Sequence, residues 1–135
     1  MDRELIFSVG ELLCALPLGD VVETIRPLPV QAVADSADAL LGVAVIRGQA
    51  VPVLDTARLL GVPAPPAERF ITTRAAVAFA TGPVLGVRDV ASGAALPLTP
   101  ALGAGAARVV TAVGVLDARP LLFVRSDGGV HVAAA

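Results

Sequence analysis

The apolar positions of this chain fall in short runs cut by Gly, Pro and Asp, and few segments hold a 3.6-residue repeat over three turns. Residues 4–9, 12–16, 43–46, 50–54, 70–73, 75–80, 84–87, 109–113 and 120–124 are each strand-sized. Most are rich in valine, whose β-branched side chain is stiff at χ1 and packs well on a pleated surface. The pattern predicts an all-β protein of barrel or sandwich type.

The breaks between runs carry turn chemistry. Gly10-Glu11, Gly48-Gln49 and Thr81-Gly82 each separate two strand-like runs, where glycine supplies the positive φ of a tight hairpin, so successive strands are expected to pair antiparallel. Asp35 can cap a helical turn over residues 36–41, and Asp55 one over residues 56–60 that Gly61 and Pro63 end. Three prolines within residues 61–67 resist both helix and central strand, which makes this segment the expected boundary between two halves of a single domain, 1–135. Pro52 cannot donate to a ladder, so its strand is expected at a sheet edge or beside a bulge. No internal repeat is visible, and residues 133–135 read as a frayed tail.

Composition then narrows the function. Apolar residues make up 56% of the 135, with 13 glycines besides. A chain of this size buries only about two-thirds of its unfolded surface, so part of that excess is expected outside, as alanine and as a face for a partner. The 10 cations are all Arg, scattered among 12 acidic residues for a net charge of −2. Nucleic acid or an anionic membrane would call for clustered cations. The charged start and the Pro and Gly that interrupt residues 90–107 argue against a signal peptide and a membrane span, and a cytoplasmic location is expected.

Candidate chemistry is sparse. Cys14 and His131 are the only Cys and His, which leaves no disulfide, no zinc site and a nucleophile–base set only through a histidine beside the chain end. Asp35 and Asp38 are spaced for acid–base work but sit where a helix start needs capping. The glycine-rich run 103–108 precedes a strand-like run rather than a helix, unlike a phosphate cradle. Val53-Leu54-Asp55-Thr56-Ala57 resembles the active-site loop of dimeric aspartic proteases, where two carboxylates share a proton across a two-fold axis. Ala57 stands where that loop has Gly, and a helical turn follows in place of a hairpin.

The most informative stretch is Gly42-Val43-Ala44-Val45-Ile46-Arg47-Gly48-Gln49-Ala50-Val51-Pro52-Val53-Leu54-Asp55. It resembles the signature of the CheW-like family, the coupling proteins of bacterial chemotaxis: Gly-Val-x-x-aliphatic-Arg-Gly-x-aliphatic-aliphatic-Pro-aliphatic-aliphatic-Asp, with Ala50 at one aliphatic position. Val21-Val22-Glu23-Thr24-Ile25 is similar to the family's Val-x-Glu-Ile segment, with Thr24 in place of Ile. Val84-Leu85-Gly86-Val87-Arg88-Asp89-Val90 looks like its Gly-aliphatic-Val-Val-Asp-x-Val strand, with Arg88 where an apolar residue is usual. Residues 113–124 look like its closing strand pair. Its customary C-terminal helix is missing, because residues 125–129 read as a turn.

The resemblance implies two small SH3-like five-stranded β-barrels sharing one core, with short helical turns, no catalysis and no cofactor. It implies two partners: the cytoplasmic tip of a chemoreceptor (a methyl-accepting chemotaxis protein), whose helices lie in the groove between the barrels, and the regulatory domain of the histidine kinase CheA. Neither nucleic acid nor direct membrane insertion is implied. At the matched positions, Val21, Glu23, Thr24, Leu40, Gly42, Arg47 and Gly48 are the expected binding residues. Glu23 and Arg47 are expected to pair across the groove, since a half-buried Arg needs a carboxylate. Val21 and Leu40 fit either the core or the groove wall, and Gly42 and Gly48 fit backbone requirements. Two other functions stand beside this one: a protease centred on Asp55, and a CheW-like module of a different signalling pathway.

Overall fold

The structure, a computed structural model, describes residues 2–34, 39–91, 96–97 and 108–129. The start of the Asp35 turn, the Asp35–Asp38 pair, nearly all of the run 103–108, His131 and the tail 133–135 lie outside the described residues, while Leu40 and Leu41, expected to end that turn, are strand instead of helix.

Eleven strands are present among the described residues: β1 (Asp2–Val9), β2 (Leu12–Pro17), β3 (Val21–Ile25), β4 (Leu40–Ile46), β5 (Gln49–Asp55), β6 (Arg69–Thr73), β7 (Ala78–Thr81), β8 (Val84–Val90), β9 (Leu96–Pro97), β10 (Val110–Leu116) and β11 (Arg119–Val124). A 3-10 turn, Leu18–Asp20, follows β2, and α1 (Thr56–Leu60) follows β5. The first sheet runs β8-β1-β2-β11-β10-β9 and the second β3-β6-β7-β5-β4. These are the two small SH3-like barrels expected, the first carrying a two-residue sixth strand.

The two sheets are the same sheet built twice. Replacing β3, β6, β7, β5 and β4 by β8, β1, β2, β11 and β10 reproduces every pairing, including the parallel pairs β5·β7 and β11·β2. The register slips coincide as well. Val22 and Leu85 are the extra residues opposite β6 and β1, and Leu41 and Thr111 those opposite β5 and β11. The matched hairpin turns β4–β5 and β10–β11 both have positive φ at their two central residues, Arg47 and Gly48 in one and Asp117 and Ala118 in the other, the mirror-image turn that suits the right-handed twist of strands.

Alternation along the strands fills three layers of core. In β1, Leu5, Phe7 and Val9 face a core shared by the barrels, while Ile6 points into the first barrel with Ala15, Leu121 and Phe123. In the second barrel Leu54, Ile71 and Phe79 enter the shared core, while Val53, Phe70, Ala78 and Ala80 fill the barrel itself. Strands buried on both faces read as continuous apolar runs rather than alternating ones, which is why the sequence shows runs.

The chain changes barrel at the 3-10 turn before β3 and again between Thr81 and Val84, so the first barrel is made from both ends of the sequence. Residues 61–67 join α1 to β6 and are therefore not where the chain divides. They do lie between the barrels: a side chain at Gly10, in the β1–β2 turn, would meet the Pro63 carbonyl at 2.5 Å. Thr81-Gly82 is a crossing, not a hairpin, because β7 and β8 belong to different sheets. Gly82 is needed there for close approach, its amide donating to the Ser8 carbonyl at 2.9 Å, with a Cβ only 2.7 Å from that oxygen.

Two further expectations shift. Residues 75–77 belong to the turn before β7, with Ala76 at φ 61. The strand of Pro52 is interior rather than at an edge, and the other branch of that expectation holds, since the bulge at Leu41 lies opposite Val53 and Leu54, next to Pro52. Pro52 lies opposite Val43, whose own backbone groups bond outward to Gln31, so the proline nitrogen faces away from β4. On that side the ladder to β7 begins only at Val53, and no donor is missed.

Candidate functional site

β3 and β4 are the two end strands of the second sheet. Glu23 stands on β3, just past its bulge, and Arg47 begins the turn after β4. Their side chains meet in a two-bond fork, Arg47 Nε donating to Glu23 Oε1 at 2.9 Å and Nη2 to Oε2 at 2.8 Å. The Glu23 side chain is 22% exposed and that of Arg47 79%. The half-buried partner is thus the carboxylate, and the exposed guanidinium reaches over it. Both residues belong to one barrel, so the pair ties its open ends together instead of spanning the groove between barrels. The Thr72 hydroxyl pins the strand beneath, accepting from the Glu23 amide at 3.2 Å and donating to the Glu23 carbonyl at 3.3 Å. The hydrogen bonds from Arg47 are the main reason that the Glu23 carboxyl is held below its ordinary pKa.

Gly48 completes the Arg47 turn at φ 77, and Val22 and Thr24 are exposed on either side of Glu23. Val22, Glu23, Arg47, Gln49, Val51 and Arg74 line a depression of about 360 Å³. Val22, Gln49, Val51 and Arg74 were not among the expected binding residues; strand alternation next to Glu23 is the signal that points to Val22.

Three expected site residues stand elsewhere. Val21 and Leu40 are half-buried and pack against the shared core. Leu40 and Gly42 lie toward the far end of β4, roughly 20 Å along the strand from Arg47. Gly42 has φ +146, and a Cβ there would strike the Gln31 carbonyl, a backbone requirement.

The first barrel carries its own fork with the charges exchanged: Arg88 of β8 donates to Asp117 of the β10–β11 turn at 2.9 and 3.1 Å. By ladder register Arg88 is the counterpart of Ile25, not of Glu23. The two forks therefore bridge the same gap from neighbouring positions.

Asp55 is occupied as a helix cap. Its Oδ1 accepts from the Arg58 amide at 3.3 Å and its Oδ2 lies 3.4 Å from Arg58 Nε, with Gly61 ending the turn at φ 71. The protease reading needs this carboxylate facing a second copy, and here both oxygens are turned to its own helix. Among the described residues no group of three or more His, Cys, Asp and Glu side chains is placed to hold a metal ion, and no helix is long and apolar enough to cross a membrane.

Two permuted copies of one barrel on a common core, each tied shut by a carboxylate–guanidinium fork, define a two-barrel β module. The chain belongs to the CheW-like domain family, whose family model matches residues 4–130. Among solved structures it is similar to the scaffolding protein TtCheW from Thermoanaerobacter tengcongensis, with a TM-score of 0.79 at 18% identity over 92% of this chain and 88% of that one. No curated protein matches it.

Proposed function

We propose that this chain is a non-catalytic adaptor that couples the cytoplasmic tip of a chemoreceptor to the regulatory domain of a CheA-type histidine kinase, working in the cytoplasm. The observation that carries this reading is the Glu23–Arg47 fork, formed by one residue from each of two segments that resemble family motifs. The fork fixes the turn and β3 relative to each other before any partner arrives, so Val22, Thr24 and the outer face of Arg47 form a preorganised patch. Preorganisation lowers the ordering cost of docking, and an exposed guanidinium beside apolar side chains is a common anchor for a partner. Gly48 shapes the turn, while Val21, Leu40 and Gly42 support the patch from the core and the neighbouring strand.

Titration of the folded chain with a CheA regulatory domain and, separately, with a receptor cytoplasmic fragment tests this. Saturable binding of both is expected. Arg47→Ala should weaken at least one partner by about tenfold or more while leaving strand content intact. No binding of either partner overturns the proposal. A second reading, a CheW-like module serving another pathway, draws on the turn at residues 126–129 and on Arg88. It would be favoured by binding to a different sensor kinase only.

A further inference from the structure

The outer edge of β4 is covered at one point. The Val43 amide donates to the Gln31 carbonyl at 2.8 Å, and the Val43 carbonyl accepts from the Gln31 amide at 2.9 Å. Residues 26–34 run largely exposed over this edge, held by that bridge and by Val30, which packs on the interior of the second barrel. The bridge depends on Gly42. A Cβ at that position would lie 2.0 Å from the Gln31 oxygen and 2.9 Å from Val30 Cγ1. A side chain at residue 42 and the strap in this place exclude one another. The first barrel has the matching device, since Val113, the counterpart of Val43, is met by Leu96 of β9.

The composition and geometry of β4 say what its bare edge would take. Leu40–Ile46 is seven uncharged residues rich in strand formers, the composition that lets an edge pair with its own kind. Backbone groups of a strand alternate in direction, so Val45, two residues beyond Val43, also turns its amide and carbonyl off the sheet. Val45 makes no such bond among the described residues, and the residue is 70% exposed. In an antiparallel pair of β4 strands centred on Val43, Arg47 of each copy falls opposite an uncharged position, so like charges do not meet.

We propose that residues 26–34 are an edge guard seated on Gly42, and that the edge they cover is a latent docking strand for β4 of a second copy of this chain. Nothing in this depends on which other proteins the chain engages.

The test is Gly42→Val in the full chain, with mass read by light scattering and strand content by circular dichroism. A folded species of twice the parent mass is expected, and adding Val45→Lys should return it to the parent mass, because a lysine on an edge opposes strand pairing. A folded Gly42→Val chain of parent mass overturns the proposal. So does an aggregate that Val45→Lys leaves unchanged. Because Gly42→Val also strains the barrel, Val30→Asp, which frees the strap while leaving the sequence of β4 unchanged, is judged by the same criteria. In the unaltered chain, the Val43 amide should exchange with solvent through a local opening insensitive to denaturant, unlike Ala44, which is paired to β5. Equal denaturant dependence at the two amides overturns a separately displaceable guard.

Discussion

Glu4 sits in β1 opposite Pro17 and Arg88, 4% exposed, with Oε2 unpaired. Burial first, then the charges of Asp2 and Asp20, push its pKa up to about 7 from 4.5. The folded chain therefore keeps a proton that the unfolded chain releases, and this contribution to stability is full below the unfolded pKa and lost as pH rises through the folded one. Urea midpoints of the parent should fall across that window, whereas those of Glu4→Gln, which cannot titrate, should stay flatter. Glu23 and Asp117 run the other way. Arg47 and Arg88 hold their carboxyls below the ordinary range, so what they contribute is present at neutral pH and lost as acid protonates them. Ala118 is strained, with φ 62 where the sister hairpin has Gly48 at φ 77. Ala118→Gly should stabilise by about 1 kcal/mol in urea unfolding, by relieving a left-handed alanine. The Glu23–Arg47 contact is legible in the sequence because both residues fall in family motifs. Which partner is buried is not, since that depends on the bulge at Val22 and on Thr72.

At the scale of the element, burial on two faces makes β1, β2, β5, β6, β7 and β11 legible as apolar runs. β3 hides because its residues alternate between half-buried and exposed, and β9 because it is two residues long. The Thr81-Gly82 turn misleads because the same residues that suit a hairpin also suit a close crossing. Helix α1 is legible to the residue, since Asp55 and Gly61 act locally as its caps. Each barrel balances its interior differently: Gly114 leaves room for Phe123, whose Cε2 would lie 3.0 Å from an added Cβ, where the second barrel pairs Ala44 with Val53. Gly114→Ala should cost about 1 kcal/mol by overpacking, and Phe123→Val on the order of 2 kcal/mol by the cavity it leaves. The double variant should cost less than the sum, a coupling that a double-mutant cycle by urea unfolding will read.

At the scale of the molecule, the duplication is invisible in the sequence for a topological reason. The first barrel takes β1 and β2 from the start of the chain and β8 to β11 from its end, so its strand order along the sequence is a permutation of the second's. No linear repeat results, and Gly48 faces Ala118, and Val53 faces Phe123, in the matched positions. Interleaving and the shared core also make the barrels interdependent. Ser126 donates to Asp20 at 2.6 Å, Thr73 to the Ser126 carbonyl at 2.9 Å and Arg74 to the Gly19 carbonyl at 2.7 Å, stitching the crossing to both barrels. Urea unfolding should therefore show a single transition whichever barrel carries the probe; two separated transitions would mean that the barrels fold independently.

Coupling itself is tested most directly by mixing a receptor cytoplasmic fragment, a CheA regulatory domain and this chain, and weighing the products by analytical ultracentrifugation. The expected result is a three-component complex that forms only when the chain is present and is lost with Arg47→Ala of parental thermal stability. Receptor and kinase domain sedimenting separately in the presence of the folded chain would contradict the adaptor function.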